Sequence, residues 1–386
     1  MLSPAHPLWL VGFRPFFALA CLAGAALPVA WILIFKGVLP PPSPAIAPVQ
    51  WHAHEMFYGF GWAVLGGFLL TATKNWVGIR GYHGGVLMGL VAAWLLERVA
   101  MSFGAGWPPL LLGFARHAFI AAIVALLLAT LLRHRATDSY RRDNLFFLIV
   151  LPLFWLAKTL LLSPEHFNTG WAMTLALFRV AFLVMFERTL TQFMRAAFQV
   201  DILRKPALDN AIKMLAVLLI FGSFFPTPLA RALELALAVL LLGRLAFWHP
   251  FKAFTRIEIG IMFLGYLAIA AQLLIDALPP PGTGWVGTVS VHVFTFGAMG
   301  LVIPAMMTRI ANGHTGRKVI FGRAEKAVLW IMILAFLIRV GGPQIVPGAY
   351  LRWLDLAAAC WLAGFALLAW RILPLIFRPR VDGREH

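Results

Sequence analysis

The chain has 386 residues, of which 61% are hydrophobic and only 12% are charged. Soluble globular proteins contain roughly 25% charged residues, so this composition excludes a soluble fold and indicates an integral membrane protein. The net charge of +17 is not accompanied by a run of five basic residues or by an aromatic-rich nucleic-acid motif. We therefore expect no nucleic-acid partner, and we expect the lipid bilayer to be the main environment of the chain.

Twelve mostly apolar segments follow one another along the chain, and at about 1.5 Å per residue most are long enough to cross a membrane as a helix. They lie at residues 13–36, 54–73, 85–103, 109–132, 145–162, 171–194, 211–225, 229–247, 257–278, 286–308, 325–341 and 351–376. This pattern predicts an all-α, polytopic transmembrane helix bundle of about 12 spans, forming a single transmembrane domain over residues 1–386. The short pair 211–225 and 229–247 is compatible with two spans or with one re-entrant excursion.

Basic residues indicate the orientation of these segments. They concentrate in the connections that follow even-numbered segments and in the tail, for example Arg133, Arg141, Arg142, Arg317 and Arg380. The alternate connections contain little beyond Lys36, and several are turns rich in proline and glycine, such as residues 279–282. By the positive-inside rule, both termini are predicted to be cytoplasmic.

Four of the eleven histidines lie near the predicted external ends of segments 2, 4 and 10, namely His52, His54, His117 and His292. Ionisable side chains inside a membrane are costly and are therefore functional-site candidates. Neutral imidazole is a suitable ligand for haem iron and for copper. We predict that His52, His54 and His292 ligate a metal or haem, whereas His117 is equally compatible with a hydrogen bond between helices.

The spacing of His52 and His54 leaves two alternatives. On a continuous helix, side chains two residues apart point about 200° away from each other and do not share one metal ion. If segment 2 begins only at His54, then His52 lies on a flexible entry and can approach the same site.

Two arginines in apolar segments also need partners. Arg98 follows Glu97 at the end of segment 3, and Arg179 lies within segment 6. Either guanidinium can bind a haem propionate in a bidentate manner. A salt bridge between helices, or an extended side chain that reaches the interface, is the simpler interpretation for each residue alone.

At these residues the sequence resembles the NnrS family. The resemblance is carried by WHAHEM and the residues that follow it (51–76), by the stretch from VHVF to GHTGR (291–317), and by HPLWLVGFRPFF (6–17), RDNLFF (142–147) and PRVDGR (379–384). It implies a twelve-span, multi-pass protein of the bacterial inner membrane that contains non-covalent haem b and copper. By motif position it points to His52, His54, Glu55, His292, His314 and Arg317.

Two positions depart from the family pattern. Residues 186–191 keep Arg188 but lack the glycines and the proline of a Gly-Gly-Arg-x-x-Pro motif, and His117 stands where an acidic residue is expected.

The resemblance implies a protein that binds or detoxifies nitric oxide, or iron-nitrosyl species, in nitrosative stress or denitrification. The His-ligated site would lie in the outer half of the membrane, with nitric oxide as the small-molecule ligand. Turnover would make the protein an oxidoreductase, although no motif identifies an electron donor. A transporter of a metal, haem or small anion is the alternative, although we find no internal repeat. A structural role in a respiratory assembly is the third hypothesis.

Overall fold

A computed structural model describes residues 3–43, 46–141, 143–278 and 284–384. These ranges contain twelve long helices and no strand. The helices are α1 (Phe13–Phe35), α2 (Pro48–Val77), α3 (Gly85–Phe103), α4 (Pro109–Arg133), α5 (Leu145–Leu162), α6 (Phe167–Phe198), α7 (Pro206–Leu218), α8 (Thr227–Ala246), α9 (Ile257–Ala277), α10 (Val289–Gly313), α11 (Arg323–Ile345) and α12 (Tyr350–Ile376). The prediction of an all-α polytopic bundle is confirmed.

Eleven helices within the described ranges are long and apolar enough to cross a membrane. The remaining long helix, α8, carries Arg231, Glu234 and Arg244, which lower its apolar character. The predicted segments 211–225 and 229–247 therefore correspond to two separate helices, α7 and α8. The cytoplasmic placement of both termini stays a prediction, and Arg142 and residues 279–282 lie outside the described residues.

The chain divides into two compact units. Unit 1 comprises Met1–Trp171, Met307–Ile320 and Phe365–His386, so it contains α1 to α5 with the ends of α10 and α12. Unit 2 comprises Ala172–Met306 and Phe321–Gly364, so it contains α7, α8, α9, α11 and most of α6, α10 and α12. The prediction of a single domain is not tested by this division and stays a prediction.

The helices α2 and α10 are largely buried, as is α9. Of the most apolar 18-residue window of α2 and of α10, 72% and 78% of the residues are buried, against 39% for α1. In unit 1, the Trp62 ring of α2 packs edge-on against Phe154 of α5 at 5.0 Å, and Phe60 packs against Phe365 at 5.2 Å. Polar side chains on α2 are consequently surrounded by protein and need partners there.

The helices α2 and α10 each contain a π-helical segment, Glu55–Gly61 in α2 and Val293–Gly300 in α10. Each segment begins directly after a histidine, His54 or His292. Such segments often mark functional sites, because the wider turn displaces the backbone hydrogen bonds.

The helix start at Pro48 corrects the predicted start of segment 2 at residue 54. Proline is favoured in the first turn of a helix. However, the polar residues Gln50, His52 and His54 lower the local hydropathy, so a search for apolar segments places the helix start too late. The alternative in which His52 lies on a flexible entry is therefore wrong, and His52 belongs to a continuous helix. The start of α10 at Val289 likewise leaves His292 on its first turn, nearer the helix end than counting from residue 286 suggests.

Candidate functional site

A network of ionisable side chains surrounds His54 inside unit 1. The side chains of His54, Glu97 and Lys158 are fully buried, and that of Glu55 is 1% exposed. The Nδ1 atom of His54 lies 2.9 Å from Oε1 of Glu55, and its Nε2 atom lies 3.0 Å from Oε1 of Glu97. The imidazole is therefore held between two carboxylates that come from α2 and α3.

Two cations compensate these carboxylates. The Lys158 ammonium, from α5, donates a hydrogen bond to Oε1 of Glu97. The Arg98 guanidinium places Nη2 2.9 Å from the same oxygen and Nε 2.8 Å from Oε2 of Glu55. Buried charges are tolerated when they are paired in this way, whereas removal of one partner leaves an expensive isolated charge.

Hydrogen bonds from the π-helical segment of α2 to α3 and α5 hold the helices of this network together. The Tyr58 carbonyl accepts a hydrogen bond from Nη1 of Arg98 at 3.3 Å, and the Gly59 carbonyl accepts one from the Trp94 indole at 3.0 Å. The Tyr58 hydroxyl donates to the Phe154 carbonyl at 3.0 Å. Backbone groups of α2 thus bind α3, while a side chain of α2 binds α5. A ring fixed between two carboxylates can hold a proton or transfer it between them.

His52 and His54 face different surroundings. The His52 ring stacks on Trp31 of α1, with ring centroids 4.2 Å apart and an angle of 11° between the planes. Both nitrogens of His54 face carboxylates instead. The described residues contain no group of three or more His, Cys, Asp or Glu side chains placed to hold a metal ion. Ligation of metal or haem by His52 and His54 stays a prediction.

His117 borders the same network on α4. Its Nδ1 atom accepts a hydrogen bond from the Trp155 indole of α5 at 3.2 Å, so the lone pair of that nitrogen is in use. It also interacts electrostatically with Lys158, Glu97 and His54. This geometry matches the interpretation of His117 as a hydrogen-bonded residue between helices.

The second candidate site lies in unit 2, around His292. Its Nδ1 atom lies 2.7 Å from the Thr288 carbonyl oxygen, and only a protonated Nδ1 can donate to that acceptor. The lone pair of the neutral ring is then on Nε2, which is the usual arrangement of a metal-ligating histidine. Nη2 of Arg339, from α11, lies 3.2 Å from both ring nitrogens.

Arg339 is 8% exposed and is also hydrogen-bonded to the Tyr350 side chain. Within the described residues, no carboxylate forms an ion pair with Arg339. A buried guanidinium without a carboxylate partner among the described residues can form an ion pair with an acidic group of a ligand.

Arg179 lies on α6 in unit 2 and is 5% exposed. It interacts electrostatically with Asp276 and Glu234, from α9 and α8. Arg98 and Arg179, the two arginines predicted as propionate ligands, therefore both have carboxylates close by. This arrangement agrees with the simpler interpretation of charge compensation between helices.

Lys158 and Arg339 are the site residues that the sequence analysis missed. Lys158 is the only ionisable residue of α5, and Arg339 is the only one in α11 after Lys326, so each stands in an apolar stretch, as the histidines do. His314 and Arg317, selected by motif, lie directly after the opposite end of α10 from His292 and belong to unit 1.

A family model described as NnrS protein matches residues 7–380, nearly the whole chain. No curated protein matches the chain.

Proposed function

The chain belongs to the NnrS family, and we propose that it is a haem- and copper-containing protein of the bacterial inner membrane that binds or detoxifies nitric oxide. In this proposal, His292 would hold the haem iron. The observation that carries this assignment is the hydrogen bond from Nδ1 of His292 to the Thr288 carbonyl, which leaves the ligating lone pair on Nε2.

The residues around His292 fit a haem group. Thr288 orients the imidazole, and Arg339 supplies a buried guanidinium suited to a propionate. Bound haem would supply an iron with a coordination position for nitric oxide. Copper is expected from family membership, with His52 and His54 as candidate ligands, but the three-ligand geometry that would support it is absent among the described residues.

The chain contributes binding, orientation and access. His292 is partly exposed, whereas the His54 network is closed to solvent. Nitric oxide is small and apolar and dissolves in lipid, so a ligand arriving between helices needs no aqueous channel. Arg339, whose Nη2 lies 3.2 Å from Nε2 of His292, would be the residue that pairs with a propionate of a bound haem.

The test is an optical spectrum of the full chain, produced in a haem-synthesising bacterium and purified in detergent. We expect a Soret band in the dithionite-reduced protein and a shift of that band when nitric oxide is added. His292→Ala should lose the band, and His166→Ala, which changes an exposed loop histidine, should keep it. Absence of haem and copper from the wild-type protein by elemental analysis would refute the proposal.

Turnover is tested separately from binding. Anaerobic incubation of the reduced protein with nitric oxide, followed by gas chromatography of nitrous oxide, distinguishes an oxidoreductase from a binding protein. Nitrous oxide formation that depends on His292 would support an enzymatic role, and its absence alongside a Soret shift would support binding alone.

A transporter of a metal, haem or small anion is the second candidate. The observation in its favour is that each unit contains a helix with a π-helical segment directly after a histidine, a local departure from α-helical hydrogen bonding of the kind found at functional sites. Substrate uptake by proteoliposomes that is lost in a folded His292→Ala variant would favour this function. Haem retention without uptake would favour the first.

A further inference from the structure

A cluster of basic residues from four separate segments lies in unit 1, at the end where α1 begins and α2 ends. We call it the basic cluster. Its members are Arg14 of α1, Lys74 of α2, His314 and Arg317 of the turn after α10, and Arg380 with Asp382 of the tail. The proposed nitric oxide function uses none of these residues.

Hydrogen bonds to backbone groups hold the C-terminal tail against the turn after α10. Nη1 of Arg14 donates to the carbonyls of Ile376 and Arg378 at 2.8 and 2.7 Å, which satisfies groups at the end of α12. Nη1 of Arg380 donates to the His314 carbonyl at 3.0 Å. The Val381 amide donates to the Thr315 carbonyl at 3.1 Å. The positions of the charged groups are consequently set by the fold.

The turn and the tail also approach each other at Gly316. This glycine has a φ of +81°, and a Cβ atom at its position would lie 2.8 Å from Cγ of Asp382. Only glycine combines this backbone conformation with such a close neighbour. The carboxylate is thereby brought beside Arg380, where Oδ1 lies 2.8 Å from Nε and Oδ2 lies 2.5 Å from Nη2.

The cations of the cluster repel one another. Arg14 interacts unfavourably with Arg380 and Arg317, and Lys74 with Arg380. Asp382 is the only carboxylate among the six residues, and Arg380 already occupies it. Burial, together with repulsion from Lys74 and Arg380, lowers the pKa of His314 to about 4. The local field therefore favours an anion.

Two donors of the cluster have no acceptor within the described residues. The Lys74 side chain is 7% exposed and forms neither a hydrogen bond nor an ion pair there. Nη1 of Arg317 is inaccessible to solvent and makes no hydrogen bond. Desolvation of a cation is costly unless an acceptor replaces the lost water. An acceptor from outside the described residues would satisfy Nη1 of Arg317 and would pair with the Lys74 ammonium.

We propose that the basic cluster binds a phosphate group. A phosphate accepts several hydrogen bonds at once, and guanidinium and ammonium groups together are its usual protein ligands. Its negative charge matches the excess of cations over carboxylates in the cluster, and its several oxygens can accept from more than one cation at once. The group comes either from free phosphate or from the head group of an anionic phospholipid, which basic pockets between membrane helices recognise.

The first arm of the test measures binding of inorganic phosphate to the full-length protein, delipidated in a neutral detergent. Calorimetry at constant ionic strength is compared for wild type, Lys74→Gln and Arg317→Gln. Loss of one charge-assisted hydrogen bond should weaken binding about tenfold or more. Arg195→Gln, which changes an arginine that is 68% exposed and lies outside the cluster, should bind as the wild type does.

The second arm identifies the natural source by native mass spectrometry of protein taken directly from membranes. An anionic phospholipid that is retained by the wild type and lost in both variants assigns a head group. Phosphate binding without retained lipid assigns free phosphate. Lys74→Arg keeps the charge and should bind in both arms, which separates loss of the site from misfolding. Binding that is equal in wild type and Lys74→Gln, or equally strong for chloride, would overturn the proposal.

Discussion

In α2 and in α10, a histidine directly precedes a π-helical segment, an aromatic residue follows four positions later, and a glycine follows that. The residues are His54, Tyr58 and Gly59 in unit 1 and His292, Phe296 and Gly297 in unit 2. The next helix in each case brings an arginine to the segment, Arg98 or Arg339. The two units therefore share the same local arrangement of residues, which was not recognised as a repeat in the sequence.

The charges around the two histidines differ. In unit 1, Glu55 and Glu97 neutralise Arg98 and Lys158, and His54 is closed off between them. In unit 2, Arg339 has no carboxylate partner within the described residues, and a backbone carbonyl orients His292. Neighbouring carboxylates, rather than the histidine motif, therefore distinguish a self-compensated network from a site that can accept a ligand.

The largest expected effect follows from removing the central carboxylate. Glu97→Gln leaves Lys158 and Arg98 without their shared partner, which should destabilise the protein by about 3–5 kcal/mol. The measurement is the thermal unfolding midpoint in detergent, with the exposed Glu165→Gln as the control. Combining Glu97→Leu with Lys158→Met should restore part of the loss, because the pair is then removed together. An unchanged midpoint for Glu97→Gln would contradict the network.

Leucine substitutions of the two arginines separate the two sites. Arg98→Leu removes a buried cation from two carboxylates and should cost about 3 kcal/mol. Arg339→Leu removes a cation that forms no ion pair with a carboxylate in the described part of the chain, so it should change the midpoint much less while lowering the haem content of the purified protein. Midpoints and the ratio of haem to protein are measured on the same preparations. Equal destabilisation by both changes would remove the proposed distinction.

Alanine at the two equivalent glycines tests how rigid each segment is. A Cβ at position 297 would lie 2.7 Å from Cβ of Ala268 and 3.0 Å from Cε2 of Phe336, so Gly297→Ala should cost about 1–3 kcal/mol. A Cβ at position 59 would lie 2.9 Å from Nη1 of Arg98, whose flexible end can move. Gly59→Ala should therefore cost less than about 1 kcal/mol. The reverse order of the two midpoints would argue against this account.

The smallest expected effect comes from making unit 1 resemble unit 2. Tyr58→Phe introduces the residue type of position 296 and deletes the hydrogen bond to the Phe154 carbonyl. The expected cost is about 1 kcal/mol, since one neutral hydrogen bond is lost and the ring is kept. The midpoint should fall slightly without a change in any cofactor spectrum. A loss comparable to that of Glu97→Gln would mean that the hydroxyl belongs to the ionic network itself.

The helical segmentation was predictable because hydropathy is a local property. Every predicted apolar segment corresponds to one of the twelve helices, and the errors lie at the ends, as at Pro48. The polar residues at the start of α2 are buried by tertiary contacts. Hydropathy along the chain does not detect this kind of burial. That the buried histidines have polar or charged partners was also predictable, because an ionisable group in an apolar helix requires one.

The identity of those partners was decided only by the tertiary structure. Glu97 and Lys158 are 61 positions apart, and His292 and Arg339 are 47 positions apart, so no short motif joins either pair. The same is true of the basic cluster, which draws on four distant segments. From the sequence alone came the membrane class, the helices and the motifs of the NnrS family. Which charges neutralise one another depends on distances of a few ångströms between helices, because electrostatic pairing is set by proximity in space and not by position along the chain.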